Sequence, residues 1–165
     1  MTYPETLAYL DTLTNYERHR DPQAMQRIPL ERMQRLCQRL GRPEAAFRSV
    51  LVAGTNGKGS ICAMIYEMLR HAGLRVGLYT SPHLEDLRER IRVSDLSSPE
   101  GDWISEAALA SAVQSVRDAA ESLEEFSQDP PTYFEVMTAA AFQHFFASRV
   151  SVAVLEVGLG GRLDA

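Results

Sequence analysis

The chain of 165 residues carries 17 basic and 22 acidic side chains, which gives a net charge of −5. Apolar residues make up 45% and charged residues 24% of it, proportions that exclude a disordered tail, a collagenous chain and a coiled-coil rod. The excess of acidic residues disfavours nucleic-acid binding. The longest apolar runs are far shorter than the roughly 20 residues that a membrane span needs. The first residues have no basic start and so do not form a secretory signal. We therefore expect one cytoplasmic domain without nucleic-acid or membrane partners, in which Cys37 and Cys62 are buried free thiols.

The first 40 residues are predicted to contain two helices. Thr2 and Glu5 have the spacing of a capping box, which predicts that a helix begins here. The polar segment 15–26 predicts a loop. A second amphipathic helix is expected over residues 30–40, because Gly41 follows its apolar stripe.

The next segment has the pattern of a strand–helix–strand unit. A short apolar run at residues 49–53 predicts a buried strand, and residues 75–80 predict another. Because a helix and both strands fit within about 30 residues, the strands are expected to be parallel. The helix between them is expected to turn five apolar residues inward: Ile61, Met64, Ile65, Met68 and Leu69.

A charged loop follows the second strand, and its last residues alternate like a strand or hairpin arm. Three arginines, Arg88, Arg90 and Arg92, alternate with other residues there. They form either a solvated strand face or a basic edge that recruits an anionic substrate. Residues 94–102 are predicted to be a turn-rich linker.

The carboxyl-terminal part predicts two more helices and a strand. Apolar spacing predicts an amphipathic helix over residues 109–123, and a second capping box at Thr132 and Glu135 opens another helix. Residues 150–157 predict a third buried strand that ends in a glycine-rich turn. The fold class is therefore α/β, with a P-loop-type, mostly parallel sheet and helices on both faces. Since the sheet is small and the chain stops after this turn, we expect part of a larger protein.

The strongest local signal is the glycine-rich segment between the first strand and its helix. It consists of Gly54, Thr55, Asn56, Gly57, Lys58, Gly59 and Ser60. Glycines let backbone N–H groups surround an anion, the helix amino terminus adds its positive end, and Lys58 supplies charge for the phosphates. The segment departs from the common phosphate-loop formula, because Val52 replaces a glycine and Gly59 stands where Ser or Thr follows the lysine. An ordinary glycine turn is the alternative.

Two polar residues are predicted at the same edge of the sheet. Glu156 ends an apolar strand, where a charge needs a cation or a hydrogen-bond partner. Carboxyl ends of parallel strands form ligand crevices, and a carboxylate beside a phosphate loop suits Mg²⁺. The alternative is a buried glutamate paired with an arginine. Ser81 follows the next strand and supplies a further oxygen, whereas His83 is either an exposed loop histidine or a catalytic base.

Four separated blocks carry a family resemblance: AGTNGKGS, YTSPHL with ERIRV, PPTYFE, and LEVGLGGRLDA. In this order they resemble the folylpolyglutamate synthase/dihydrofolate synthase family of Mur-ligase-like, ATP-dependent amide ligases. The resemblance implies that residues 1–165 are the amino-terminal part of an incomplete Mur-ligase-like ATPase domain, without the carboxyl-terminal glutamate-ligase domain. It implies phosphorylation of a dihydropteroate or folate carboxylate by MgATP, followed by attack of L-glutamate on the acyl phosphate. A different Mur-type ligase and a non-catalytic nucleotide-binding fragment are the alternatives.

The resemblance also implies roles for individual residues. Residues 54–60 would hold ATP, with Lys58 and Glu156 as catalytic residues. Magnesium would be bound by Ser81, Glu156 and Ser60. The substrate site would be lined by Ser81, Pro82, His83, Thr132, Phe134, Glu135, Asp164 and Ala165. Phe134 would stack on the pterin ring, although its helical spacing also fits a core residue, and Asp164 would bond the ring's polar edge. The full-length enzyme would be a monomer.

Overall fold

The computed structural model describes residues 1–17, 30–94 and 102–158. Short 3₁₀ turns lie at Pro43–Ala46, Leu87–Arg90 and Glu124–Ser127. Among these residues, no helix combines the length and apolar character that a membrane crossing requires. The main elements are α1 (Tyr3–Thr12), α2 (Leu30–Arg39), β1 (Arg48–Val52), α3 (Lys58–His71), β2 (Val76–Tyr79), β3 (Ile91–Val93), α4 (Glu106–Glu121), α5 (Tyr133–Ala147) and β4 (Val152–Glu156).

The four strands form one mixed sheet in the order β1-β4-β2-β3. Strand β4 lies between β1 and β2 and is parallel to both, with Val52 opposite Glu156 and Tyr79 opposite Leu155. The three expected strands are thus parallel. The predicted hairpin arm is β3, which pairs with β2 in the antiparallel direction.

Helices cover both faces of this sheet, which confirms the predicted α/β class. Successive side chains of a strand point to opposite faces. On one face Val154 packs with Cys62 and Tyr66 of α3. On the other face Ala153 and Tyr79 belong to a larger core that α1, α2, α4 and α5 complete.

A close approach between α5 and the sheet requires a glycine in β2. A Cβ built on Gly77 would lie 2.8 Å from the ring of Phe145, which is fully buried. Any larger residue at this position would push the helix away from the strand. Gly77 therefore sets the spacing between the sheet and its main helix.

Both predicted capping boxes are present. The Thr2 hydroxyl accepts from the backbone N–H of Glu5, and the Thr132 hydroxyl accepts from that of Glu135. In each case the glutamate side chain accepts from the threonine N–H. These reciprocal bonds satisfy backbone donors that the first helical turn leaves without partners.

The prediction of which α3 residues face the core is partly wrong. Ile65 and Leu69 are partly buried against the sheet, as predicted. Three others are 44%, 58% and 64% exposed: Ile61, Met64 and Met68. The fully buried positions are instead Cys62 and Tyr66. Apolar residues surround most of this helix, so their spacing did not select one face.

Both cysteines are free and buried, as the sequence predicted. Burial raises the pKa of the Cys37 thiol to about 12 and that of the Cys62 thiol to about 11. For Cys62 the nearby carboxylate of Glu156 adds to this effect. Neither thiol therefore has the low pKa of a reactive cysteine.

Candidate functional site

The glycine-rich loop joins β1 to α3 at the carboxyl edge of the sheet. Residues 53–57 are exposed, and Gly57 is the N-cap of α3 with φ of +74°, in the left-handed region that glycine adopts readily. No side chain in the described part of the chain caps this helix. The first N–H groups of this 14-residue helix therefore lie at the carboxyl edge of the sheet, which we call the rim. Unpaired N–H groups at a helix amino terminus are suited to bind an anion.

Lys58 is the first residue of α3 and is half-buried. A Cβ built on Gly54 would lie 3.9 Å from Cγ of Lys58, so the aliphatic stem of the lysine lies along the loop. Ser60 is exposed in the same first helical turn. The charge and the hydroxyl are therefore both at the amino end of α3, beside the loop.

Glu156 lies at the centre of the rim. It is the last residue of β4, is 8% exposed, and its Oε2 accepts a hydrogen bond from the N–H of Ser81 at 3.1 Å. A Cβ built on Gly59 would lie 3.7 Å from the same oxygen. The fold thus brings the glycine-rich loop, Ser81 and Glu156 together. In the described part of the chain no arginine pairs with Glu156, so the alternative of a buried ion pair is not what these residues form.

These oxygen donors fit a magnesium ion. Mg²⁺ usually takes one or two carboxylates from the protein, together with substrate phosphates. At such a site Glu156 would supply a carboxylate, and Ser81 and Ser60 would supply hydroxyl oxygens from the two neighbouring segments. The backbone bond from Ser81 holds one carboxylate oxygen, which orients the group toward the helix amino terminus.

The segment after Ser81 folds into a closed loop. Its ends are joined by a hydrogen bond of 3.0 Å from the Thr80 N–H to the Arg90 carbonyl. Inside it, the Glu89 carboxylate accepts from the three consecutive N–H groups of residues 84–86, at 2.8 to 3.0 Å. Pro82 is exposed at the start of this loop and His83 is half-buried. Hydrogen bonds therefore hold the shape of the segment that the sequence predicted to be a charged loop.

The environments of the three alternating arginines differ from both interpretations made from the sequence. Arg88 is paired with Asp86 at 2.6 Å, and Arg92 is paired with Asp102 at 2.7 Å. Arg90 is only 2% exposed. They form neither a solvated face nor an unpaired basic edge, because each guanidinium is bound to a carboxylate of this chain.

Arg90 occupies a buried position between several elements. Its two terminal nitrogens donate to the carboxylate of Glu17 at 3.0 and 2.6 Å, and its Nε donates to Nδ1 of His83 at 2.9 Å. The guanidinium carbon lies 5.3 Å from the ring centre of Tyr133. Burial, and then the charge of Arg90, lower the pKa of His83. Sequence reasoning missed this cluster, since Glu17 is 73 residues from Arg90.

Thr132 and Glu135 have structural partners. Their side chains are 4% and 1% exposed. Besides its capping bonds, Glu135 accepts from Nε of Arg32 at 2.9 and 3.0 Å, and Arg32 also pairs with Asp129 at 2.6 Å. This buried pair ties α2 to the start of α5. That Thr132 and Glu135 contact a substrate stays a prediction.

Phe134 is half-buried at the rim. Its ring centre lies 6.1 Å from that of Tyr79, at an interplanar angle of 47°. A Cβ built on Gly158 would lie 2.7 Å from Cζ of Phe134, so only a glycine backbone fits against this ring. The ring therefore contacts the core, yet it lies where β2 and β4 end. The predicted partners Asp164 and Ala165 lie outside the described residues.

Comparison with known proteins identifies the family. No protein-family model matches the chain. It is 41% identical over 137 residues to the dihydrofolate synthase/folylpolyglutamate synthase of Bacillus subtilis, and 39% identical over 166 residues to the folylpolyglutamate synthase of Lacticaseibacillus casei. A crystal structure of folylpolyglutamate synthase from Thermotoga maritima superposes with a TM-score of 0.81 at 38% identity, over 98% of this chain. The chain belongs to the folylpolyglutamate synthase/dihydrofolate synthase family.

The chain spans about a third of these family members. The matches cover 82% and 100% of this chain, but 30% and 36% of the Bacillus and Lacticaseibacillus proteins. The Thermotoga structure is covered to 34%. A folylpolyglutamate synthase of Mycobacterium tuberculosis complexed with ADP superposes with a TM-score of 0.80 at 34% identity, over 98% of this chain and 33% of that one.

Substitution of Arg32 tests the ion pair at the start of α5. Arg32→Met should destabilise the protein by about 3–5 kcal/mol, because it leaves the buried Glu135 carboxylate without its partner. The double variant Arg32→Met/Glu135→Gln should recover part of this loss, because the glutamine amide is neutral and its oxygen can still accept from the Thr132 N–H. Urea unfolding of the wild type and of each variant measures the effect. A single variant as stable as the wild type would contradict the assignment.

Proposed function

We propose that this chain is the phosphate-binding part of an ATP-dependent ligase that joins L-glutamate to dihydropteroate, to folates, or to both. The observation that carries the proposal is the position of Glu156, whose carboxylate lies against the first turn of α3 and is bonded to Ser81. Two relatives add support: one folylpolyglutamate synthase is complexed with ADP, and another forms a complex with AMPPCP and folate. The enzyme would be a cytoplasmic monomer.

The loop of residues 54–60 holds the triphosphate in this proposal. Backbone N–H groups at the amino end of α3 surround the phosphate oxygens, and Lys58 balances their charge. Lys58 is the single lysine among the 17 basic residues of the chain. A flexible ammonium can follow the γ-phosphate as it moves, whereas a guanidinium presents a larger planar fork.

Glu156 and Ser81, with Ser60, would hold Mg²⁺, which when bound neutralises charge on the phosphate oxygens. Glu156 is suited to this because its burial excludes water from one side and the Ser81 N–H fixes its orientation.

The proposed reaction has two steps. A carboxylate oxygen of the substrate attacks the γ-phosphorus of ATP, the bond to ADP breaks, and an acyl phosphate forms. The glutamate amine then attacks the acyl carbon, phosphate leaves, and the nitrogen loses a proton as the amide forms. Such phosphoryl transfer depends on positioning and charge stabilisation more than on an acid or a base. The backbone amides and Lys58 supply both.

The pteridine would lie beside the ends of β2 and β4. Phe134 provides a half-buried ring there, while Thr132 and Glu135 fix the start of α5 that carries it. By resemblance to the family, Asp164 and Ala165 would also contact the substrate. Pro82 and His83 border it from the loop after β2.

An assay of the full protein tests the proposal directly. It would contain ATP, labelled L-glutamate, and either dihydropteroate or tetrahydrofolate. Formation of a labelled pteroyl amide together with ADP and phosphate is expected. ATP binding without amide formation from either acceptor would support instead a nucleotide-binding module, and no ATP binding would overturn the role of the loop.

Lys58→Ala should lower turnover at least about 100-fold, because charge builds up on the transferred phosphoryl group in the transition state. Arg70→Ala, at the far end of the same helix, is the control and should change turnover little. Initial rates at saturating ATP measure both variants. Near-normal turnover of Lys58→Ala would mean that the loop does not bind the triphosphate.

Glu156→Gln should keep the hydrogen bond from Ser81 while it removes the negative charge. We expect the magnesium concentration for half-maximal rate to rise at least about tenfold, with thermal stability maintained. Glu67→Gln, at a half-buried position on α3 where the carboxylate pairs with Arg70, is the matched control. An unchanged magnesium dependence would remove Glu156 from the proposed metal site.

Phe134→Ala should raise the KM for the pteridine substrate and leave that for ATP unchanged, because an aromatic stacking surface is lost. Its stability cost should be smaller than that of Phe142→Ala in the core of the same helix, for which about 3–5 kcal/mol is typical. Steady-state kinetics and urea unfolding measure the two effects. Equal damage to both substrates that tracks a loss of folded protein would show that Phe134 is a core residue.

A further inference from the structure

A buried arginine fixes the chemical state of a histidine at the rim. A guanidinium can only donate hydrogen bonds, so the bond of 2.9 Å from Nε of Arg90 makes Nδ1 of His83 an acceptor. The proton of the neutral imidazole is then on Nε2. Among the described residues, Arg90 is the hydrogen-bond partner of this ring, and Nε2 has none.

Several contacts hold the Arg90 guanidinium and backbone in position. Glu17 binds its two terminal nitrogens, and the ring of Tyr133 lies 5.3 Å from the guanidinium carbon. The Arg90 carbonyl accepts from Thr80, at the end of β2. With only 2% of Arg90 exposed, these contacts hold its guanidinium away from solvent, with Nε against His83.

The sheet order determines which substrate His83 can reach. Strand β4, with Glu156, separates β1 from β2, and adjacent strands are about 4.8 Å apart. The phosphate loop follows β1, whereas His83 follows β2 and is linked through Arg90 to Tyr133 at the start of α5. His83 thus lies on the side of Glu156 away from the phosphate loop, toward Phe134, where the acceptor of the phosphoryl group would bind.

We propose that His83 donates a hydrogen bond from Nε2 to an oxygen of the carboxylate-bearing pteridine substrate, and that Arg90 is the positioning residue that fixes the ring. This inference rests on the proposed ligase activity and adds a specific substrate contact to it. A neutral donor is suitable here, because it can bind a carboxylate or carbonyl oxygen without adding a second positive charge near the phosphates that Lys58 would neutralise.

Two substitutions separate the two nitrogens of His83. The amide of His83→Asn can occupy the position of Nδ1 and accept from Arg90, but it lacks a donor at Nε2. The longer His83→Gln places its amide N–H near Nε2. We expect kcat/KM for the pteridine substrate to fall about 10- to 100-fold in H83N and to stay within about threefold of wild type in H83Q, with the KM for ATP unchanged in both.

The reverse order, or equal rates for the two variants, overturns the inference and leaves the ligase function intact. A wild-type enzyme that forms no amide overturns the ligase function and this inference with it. As a measurement that does not depend on activity, long-range ¹⁵N–¹H correlation spectra of the full protein should show an unprotonated Nδ1 and a protonated Nε2 at His83. A protonated Nδ1 would overturn the role of Arg90, and Arg90→Lys should allow both tautomers.

Discussion

Parallel pairing of β4 with both of its neighbours determines where every candidate functional group lies. Because β1, β4 and β2 run in the same direction, the segments that follow them leave the sheet at one edge. Val52 is opposite Glu156, so the glycine-rich loop starts beside that carboxylate. Ser81 emerges on its other side and donates its N–H to it. The proposed phosphate-binding and acceptor-binding halves of the rim therefore meet at one buried carboxylate.

Two buried arginines hold the elements around this edge. Arg32 binds Glu135 and joins α2 to α5, and Arg90 binds Glu17 and joins the amino-terminal segment to the loop after β2. Such pairs lose hydration energy and are retained only where their hydrogen bonds are complete. Both act on the rim, since one fixes the start of the helix that carries Phe134 and the other fixes His83.

Lys58 and the three arginines near β3 lie in different environments. Each of the three arginines of the β3 region is paired with a carboxylate of the protein. The single lysine lies at the amino end of α3 with its stem along an exposed loop. A compact charge on a flexible side chain can adjust to a phosphate that moves during reaction, while the planar guanidinium is suited to fixed pairs inside the protein.

The sequence alone predicted the parallel strands, both capping boxes and the meeting of the glycine-rich loop with Ser81 and Glu156. It could do so because crossover helices give the strands that they connect the same direction, and because capping bonds lie within one helical turn. It did not determine which face of α3 is buried, since apolar residues surround that helix. Nor could it show that Arg90 is buried against Glu17 and His83. Only the tertiary structure decided these points, because such contacts join residues that are distant in sequence and depend on how the elements pack.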